Sequence, residues 1–332
     1  MSVNKLVSIV KYILLIAAIS LTAFLLFYRL GDTVLMQTDE ATHGINVHEM
    51  LKSGDYIVNT LKYKVDYYNS KPPLSLWALC LSYSMFGENT LALRIPSAVC
   101  GLIICILISI YLLRRYGINM ALAFALVFPT GGSMFTFHMF RAGDMDSIYG
   151  LFFTICMLGM WELIRFRSIE SEEQNTDSEL KKCHVVVLII GISLGLAILT
   201  KGLHAAMIVM LALILLPMMW NNIRKTGWRW VLASAGICVA IVLAWAIPRY
   251  FRDGWAFIYK GTFGEAEDKT QTFMNFEIIK YNLEYMWGQW TFRLLAYLLI
   301  AAMGVFLLNS LVVHRGSEVT DYSSIHKKII FS

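Results

Sequence analysis

The sequence predicts an all-α integral membrane protein, and three properties of the chain support this. Hydrophobic residues make up 58% of the 332 positions, charged residues make up only 15%, and the mean hydropathy is +0.60. Soluble domains are much more polar than this. Apolar runs of about 20 residues, the length that crosses a bilayer as a helix, recur along the chain. The short connections between them alternate between basic and less basic, as in a bundle that crosses a membrane several times.

About eight runs are long enough to be transmembrane helices. Their approximate bounds are 7–28, 93–113, 118–138, 146–165, 184–200, 203–220, 229–248 and 290–312. The first run should stay attached, because it is longer than a signal-peptide core and no convincing cleavage site follows it. We expect one transmembrane module over residues 1–312 and a tail, 313–332, that resembles the approach to a further span in a truncated chain.

The basic residues predict the orientation of the spans. They fall on one side, which the positive-inside rule assigns to the cytoplasm, at Lys5, Arg114-Arg115, 165–182, Arg224-Lys225 and 314–328. The outer side then receives residues 29–91, 141–146, the corner Thr200-Lys201-Gly202 and residues 249–289. Because orientation accounts for the net charge of +5, the charge does not indicate a nucleic-acid partner.

The first outer segment, residues 29–91, is predicted to carry two short surface helices. The first covers residues 39–51, since Thr38 is a good helix cap and Gly54 follows the segment. The second begins at Pro72-Pro73, where proline suits a first helical turn, and ends at Gly87.

Two pairs of carboxylates are candidate catalytic or metal-binding groups. Asp39 and Glu40 follow the first span, where desolvation could make a carboxylate a general base. The alternative is that both acids complement a helix dipole. Asp144 and Asp146 lie with Arg141 at the outer mouth of the third and fourth spans, where internal pairing competes with a role in a cavity. These acids would also suit a divalent cation, with Asp144 and Asp146 as the main candidates.

Basic residues on the same outer side are candidate ligands for a lipid phosphate. Lys71 precedes two prolines that restrict the backbone around it, and Lys201 stands at the corner between two spans. Arg249 and Arg252 follow the seventh span, and for them snorkelling to ordinary lipid headgroups is the competing interpretation. Histidine and cysteine do not indicate a metal site. His43 and His48 have the wrong spacing for a helical metal pair, and the six cysteines are isolated.

Four local patterns in this order resemble the GT-C superfamily of glycosyltransferases, which use polyprenyl-phosphate sugars. The resemblance is to the branch that contains lipid A aminoarabinose transferases and protein O-mannosyltransferases. The patterns are Asp39-Glu40, Lys71-Pro72-Pro73-Leu74, Arg141 to Ser147 and Thr200-Lys201-Gly202. The resemblance covers roughly residues 10–300 and implies a GT-C-like helical bundle.

The resemblance also implies roles for individual residues. Asp39 would be the catalytic base with Glu40 beside it, and Asp146 would be the acid before the fourth span, with Asp144 as its neighbour. Lys71 would hold the donor phosphate, and Lys201, Arg141 and Arg249 are further candidates for that task. Many relatives have Glu where this chain has Ser70, so the resemblance leaves a divalent metal open.

The expected activity is transfer of a sugar from a polyprenyl-phosphate donor to an acceptor hydroxyl, with inversion. The acceptor would be a glycolipid, a glycan or a protein, and the site would face the periplasm from a bacterial inner membrane. The expected partners are thus the donor, the acceptor and membrane lipids, without nucleic acid. Two alternatives are a lipid-linked sugar flippase and a truncated, inactive homologue. The flippase is disfavoured because the acids lie at span ends and no inverted repeat is visible.

Overall fold

The structure, a computed structural model, describes residues 3–35, 38–67, 69, 71–131, 139–166, 176–259, 280 and 284. The chain divides into two compact units, Met1–Gly264 and Glu265–Ser332, and all elements named below belong to the first. The predicted span 290–312 and the tail 313–332 lie outside the described residues. The expectation of a single module over residues 1–312 therefore stays a prediction.

Most of the described chain is helical. In order, the helices are α1 (Val3–Phe27), α2 (Thr38–Ser53), α3 (Leu74–Phe86), α4 (Thr90–Tyr116), α5 (Ile118–Val127), α6 (Asp146–Arg165), α7 (Thr176–Lys201), α8 (Ala206–Thr226), α9 (Trp228–Asp253) and α10 (Ala256–Ile258). Two short 3₁₀ turns, Phe128–Thr130 and Gly202–Ala205, follow α5 and α7. The strands are β1 (Thr60–Leu61) and β2 (Lys64–Val65).

Five segments within the described residues are long and apolar enough to cross a membrane. They are Lys5–Phe27, Thr90–Tyr116, Asp146–Arg165, Leu180–Thr226 and Trp228–Asp253. The fourth contains two of the predicted spans, joined through the turn at Gly202–Ala205. The predicted span 118–138 is only partly described, as α5 and the turn after it. The helical membrane fold is thus confirmed, while the count of eight spans is not tested.

Contacts between helix ends show that the chain reverses at Lys201. Asp146 at the start of α6 pairs with Lys201 at the end of α7, so these two helices are antiparallel. Near the other end of α6, the Asn222 side-chain amide on α8 donates to the Leu163 carbonyl oxygen. Helix α8 therefore runs back alongside α6, as expected for two spans that meet at an outer corner.

Both predicted surface helices are present. Helix α2 begins at Thr38 and ends before Gly54, whose φ of +72° lies in the left-handed region that favours glycine. Helix α3 begins after Pro73 and ends at Gly87, which has a φ of +80°. The sequence patterns located both helices because proline and glycine act on the local backbone alone.

A short hairpin in the same segment was not predicted. Strands β1 and β2 pair in antiparallel fashion, and the two residues between them, Lys62 and Tyr63, have φ of +56° and +59°. Such a turn usually contains Asn or Gly. Here the buried Glu49 carboxylate accepts hydrogen bonds from the Thr60 hydroxyl at 2.6 Å and the Tyr63 amide at 3.0 Å, which stabilises the turn from outside the hairpin.

Close helix contacts at glycines hold the bundle together, and they generate a stability prediction. A Cβ at Gly191 on α7 would collide with the Ser234 backbone on α9, whereas a Cβ at Gly236 on α9 would meet nothing within 4 Å. We expect Gly191→Ala to force the helices apart and lower the free energy of unfolding by about 1–3 kcal/mol. Thermal melts in detergent measure this. The control Gly236→Ala should leave the melting temperature unchanged or higher, and an equal loss in both variants would contradict the packing argument.

Candidate active site

A buried ion pair links three segments at the end of the bundle where α2, α4 and α6 begin. The Arg94 guanidinium donates to both Glu40 carboxylate oxygens, at 2.6 and 2.9 Å, and the two side chains are 4% and 2% exposed. The Glu40 Oε1 atom also accepts the Gly143 amide at 2.8 Å. Glu40 thus connects the start of α2 to the start of α4 and to the segment before α6.

The remaining N–H groups of Arg94 bind the segment that connects α1 to α2. They reach the carbonyl oxygens of Leu30, Thr33 and Val34 at 3.0–3.2 Å, and also the Thr33 hydroxyl. Because a guanidinium has five N–H donors in a fixed plane, it can hold a carboxylate and several carbonyl groups at once. The first outer segment is therefore attached to the first turns of α4.

Asp39 has a different environment from its neighbour Glu40. Its carboxylate lies 4.0 Å from the Lys71 Nζ atom, and the two side chains are 39% and 19% exposed. Since Arg94 and Gly143 occupy the Glu40 carboxylate, Asp39 is the acid of this pair that remains accessible to a reactant. The structure thereby separates two acids that the sequence places together.

His43 lies one turn further along α2 and is fully buried. Its Nδ1 atom is 3.1 Å from the Gly143 carbonyl oxygen, which can only accept, so Nδ1 carries the proton in this contact. Burial lowers the pKa of His43 below its ordinary value, and Lys71 acts in the same direction, while Asp144 and Asp39 oppose the shift. The imidazole is therefore neutral near pH 7, which fits the structural role expected for it.

Lys201 and Asp146 form a second ion pair, between the last residue of α7 and the first residue of α6. The two side chains are partly exposed, at 18% and 26%. Pro72, the residue after Lys71, packs against Gly202, the residue after Lys201. A Cβ at Gly202 would lie only 3.4 Å from the Pro72 Cδ atom. The Lys71-Pro72 and Lys201-Gly202 patterns are therefore in contact across the fold.

A cavity of about 460 Å³ adjoins these two patterns. The residues that follow the two lysines, Pro72 and Gly202, are part of its wall, and Arg249 is another part. The other lining residues are largely apolar or aromatic and include Ile198, Leu203, Val209, Val242, Trp245 and Phe257. The cavity thus combines a hydrocarbon-like wall with one cationic lining residue, Arg249, and it adjoins the residues that follow Lys71 and Lys201.

Arg249 is buried and already engaged by protein groups. Its guanidinium donates to the Asp253 carboxylate at 3.0 Å and to the Ile57 carbonyl and Asn59 side-chain oxygens, both at 3.2 Å. It also lies over the Phe257 ring, 4.2 Å from the centroid. Arg252, in contrast, is 58% exposed and 3.6 Å from Asp55.

Arg249 is also connected to the Lys71 segment by a buried polar network. Asn59, whose side-chain oxygen accepts from Arg249, donates through Nδ2 to the Asn69 carbonyl oxygen at 2.8 Å. The Asn69 amide in turn donates to the Asp66 carboxylate at 3.0 Å. This network fixes the backbone two residues before Lys71.

Two further predicted residues, Arg141 and Asp144, are held by backbone groups. Arg141 donates to the Leu25, Leu26 and Tyr28 carbonyl oxygens, so it neutralises the carbonyl end of α1. The buried Asp144 carboxylate accepts the Met145 amide at 2.6 Å. These contacts give Arg141 and Asp144 structural tasks, and their predicted roles in phosphate or metal binding are not tested.

The metal prediction finds no support in the geometry of its candidate ligands. Asp146 pairs with a cation, and in the described parts of the chain no group of three or more His, Cys, Asp or Glu side chains could hold a metal ion. Ser70, the position that differs from many relatives, lies outside the described residues. We therefore assign no step of the chemistry to a metal.

Sequence reasoning missed Arg94, although a signal was present. An arginine close to the start of an apolar span is costly in a membrane and normally has a dedicated partner. The pattern does not identify the partner, because Glu40 is 54 residues away in the chain. The polar network around Asn59 and Asn69 was missed for a similar reason, since isolated asparagines in a loop have no distinctive spacing.

A family model described as dolichyl-phosphate-mannose-protein mannosyltransferase matches residues 70–246, more than half of the 332 residues. The chain belongs to this family. The match includes Lys71, Asp146 and Lys201, whereas Asp39 and Glu40 precede it. The GT-C resemblance seen in the sequence is thereby confirmed.

Several curated relatives of this chain are described as arabinosyl transferases. The undecaprenyl phosphate-alpha-4-amino-4-deoxy-L-arabinose arabinosyl transferase 1 of Pseudomonas fluorescens is 25% identical over 246 residues, which are 71% of this chain and 40% of that protein. A transferase of the same description from Pseudomonas savastanoi is 28% identical over 249 residues, 71% of this chain and 43% of that protein. The chain thus spans about two fifths of the length of these relatives.

Solved structures share the fold of this chain. The ArnT protein of Cupriavidus metallidurans superposes with a TM-score of 0.58 at 18% identity, over 74% of this chain and 43% of that one. The same values hold for its structure bound to undecaprenyl phosphate. At this identity the likeness establishes the fold, and it confirms the GT-C-like architecture.

The buried Arg94–Glu40 pair generates the second prediction. Removal of one partner leaves an uncompensated buried charge, so Arg94→Met should lower the free energy of unfolding by about 3–5 kcal/mol. The double variant Arg94→Met with Glu40→Met should be more stable than Arg94→Met alone. Thermal melts in detergent provide the measurement. Arg29→Met is the control, because the Arg29–Asp32 pair is exposed and should contribute little.

The lowered pKa of His43 generates the third prediction. Because the folded state disfavours protonation, the contribution of His43 to stability is complete above pH 6.5 and is lost as the pH falls below that value. We expect the melting temperature of His43→Gln to depend less on pH between 7.5 and 5.5 than that of the unmodified protein. Equal pH dependence in the two proteins would disprove the role of His43.

Proposed function

We propose that the protein is a membrane glycosyltransferase that takes a sugar from a polyprenyl-phosphate donor. The observation that carries the proposal is the chain of contacts from Asp39 to Lys71, across Pro72 and Gly202 to Lys201 and Asp146, beside an apolar cavity. A carboxylate, two ammonium groups and a hydrocarbon-like pocket are the groups that a phosphate-linked prenyl sugar and an acceptor hydroxyl require.

The phosphate and the prenyl chain of the donor lipid match two different parts of the site, the lysines and the apolar cavity. Its phosphate would replace the carboxylates now nearest to Lys71 and Lys201, because both lysines are partly exposed and lie on touching segments. Its prenyl chain would lie against the apolar wall of the 460 Å³ cavity, with Arg249 at the side. The curated relatives support this assignment, since their names specify undecaprenyl phosphate-linked aminoarabinose, and ArnT was solved with undecaprenyl phosphate.

Asp39 supplies the base in the proposed reaction. It takes the proton from the acceptor hydroxyl while the hydroxyl oxygen attacks the anomeric carbon, and the bond between that carbon and the phosphate oxygen breaks. The transition state has oxocarbenium character, as in glycoside hydrolysis, and the displacement inverts the anomeric carbon. Lys71 and Lys201 stabilise the negative charge that develops on the departing lipid phosphate.

Glu40 and Asp146 act as positioning residues in this scheme. Glu40 is held by Arg94 and the Gly143 amide, so it fixes the first turn of α2 from which Asp39 projects. Asp146 holds the Lys201 ammonium at the end of α7 until the phosphate arrives. The acceptor is a hydroxyl-bearing glycolipid, glycan or protein, and the site faces the periplasm of a bacterial inner membrane, because the basic connections predict that side for it.

The fourth prediction separates chemistry from donor binding. The full chain is purified in detergent and given radiolabelled undecaprenyl-phosphate aminoarabinose with extracted envelope acceptors. Asp39→Asn should lower transfer at least about 100-fold, because it removes the base, and should leave donor affinity unchanged. Lys71→Met should weaken donor binding, because it removes a phosphate ligand.

Asp32→Asn serves as the matched control, since Asp32 is an exposed acid paired with Arg29 outside the cavity. Its transfer rate should equal that of the unmodified protein. Full transfer activity in Asp39→Asn would refute the base assignment. Movement of the labelled lipid across vesicles without any acceptor, together with no transfer, would favour a flippase instead.

A further inference from the structure

A second cavity lies at the opposite end of the bundle from Asp39 and Lys71. Its volume is about 820 Å³, and it is formed by α4, α6 and α7. On α4, its lining residue Arg115 is about 30 Å along the helix axis from Arg94, which binds Glu40 at the candidate active site. The cavity is therefore separate from the site assigned to the donor.

This second cavity is a cleft between α4, α6 and α7, and its walls are aliphatic over most of their depth. They are formed by Leu107 and Ile110 on α4, by Ile155 and Leu158 on α6, and by Val185 and Ile189 on α7. The cleft closes where α6 and α7 touch, because a Cβ at Gly159 would lie 2.7 Å from the Ile190 Cγ1 atom. The space is therefore suited to hydrocarbon chains that enter from the end of the helices.

The mouth of the cleft is basic. Four cationic side chains line it: Arg114, Arg115, Lys181 and Lys182. The carboxylate that lines the cleft, Glu162, is held by the Tyr111 hydroxyl and the Arg115 guanidinium, so it neutralises only part of this charge. These helix ends are the ones that the sequence predicts to be cytoplasmic.

An aliphatic cleft with cations at the membrane surface matches the two parts of an anionic phospholipid. Basic pockets between transmembrane helices on the cytoplasmic side are suited to such headgroups. The connecting residues 167–175 contain Glu170, Glu172 and Glu173, and these acids are the competing source of negative charge. Carboxylates would satisfy the cations but not the aliphatic walls below them, and therefore the lipid fits the whole cavity better.

We propose that the cleft between α4, α6 and α7 binds an anionic phospholipid. Its phosphate contacts Arg114 and Lys181, and an acyl chain lies against Leu158 and Ile189. The bound lipid fills the space between three helices at the end of the bundle far from the active site. It should therefore stabilise the bundle, and this effect does not depend on the proposed transferase activity.

The test uses the purified full chain with dioleoyl phosphatidylglycerol and, as the neutral probe, dioleoyl phosphatidylcholine. Native mass spectrometry measures affinity, and thermal melts measure stabilisation. Phosphatidylglycerol should bind more tightly and raise the melting temperature more than phosphatidylcholine. Arg114→Gln with Lys181→Gln should weaken phosphatidylglycerol binding about thirtyfold, since each cation near a membrane surface strengthens binding about fivefold and the two factors multiply.

Two further variants locate the site. Leu158→Trp keeps every charge but fills the cleft, and it should abolish the preference for phosphatidylglycerol. Arg224→Gln with Arg229→Gln removes the same charge from exposed residues at the α8–α9 connection, outside the cleft, and it should leave binding unchanged. Melts without added lipid show whether each variant folds.

Three results would overturn the proposal. The first is equal affinity for the two lipids, and the second is an equal loss in the Arg224 and Arg229 variant, which would indicate bulk electrostatics. The third is phosphatidylglycerol binding that appears only after Glu170, Glu172 and Glu173 are changed to Gln, which would assign the cations to the acidic connection.

Discussion

One buried ion pair determines the geometry of the end of the bundle that carries Asp39 and Lys71. Glu40 and Arg94 are almost completely removed from solvent, and each satisfies backbone groups from other segments as well as its partner. An unpaired charge at such a position would be very costly, so the pair is stable only when α2, α4 and the segment before α6 meet in one arrangement. The positions of Asp39 and His43 on α2 follow from that arrangement.

The two ends of the bundle carry different arrangements of charged groups. At the end that carries Asp39, carboxylates and lysines lie close together in partly exposed pairs that a phosphate could exchange with, as Lys71–Asp39 and Lys201–Asp146 show. At the other end, the described lining of the second cavity combines cations of α4 and α7 with the carboxylate of Glu162, which Arg115 binds. The first arrangement suits a reaction in which charge moves, and the second suits the steady binding of an anionic headgroup.

Comparison with known proteins places the chain in a family of lipid-linked sugar transferases, yet it spans only about two fifths of the curated relatives. The matched part contains Lys71, Asp146 and Lys201, while four lining residues of the cavity beside them follow it, namely Arg249, Tyr250, Gly254 and Phe257. The two proposed phosphate ligands Lys71 and Lys201 therefore lie in the part of the chain that the family shares.

The sequence by itself determined the helical membrane fold and the two surface helices. These features follow from the length of apolar runs and from the local effects of proline and glycine, which act over a few residues. It also indicated Asp39, Lys71, Asp146 and Lys201 as candidate site residues, with roles that a family resemblance implied.

Only the tertiary structure decided which of two adjacent acids stays accessible, because Arg94, 54 residues from Glu40, occupies that carboxylate and leaves Asp39 beside Lys71. It likewise formed the hairpin turn at Lys62 and Tyr63, whose left-handed backbone is stabilised by Glu49 rather than by turn residues of its own. Both outcomes depend on charges brought together from distant parts of the chain, and local patterns contain no information on such distances.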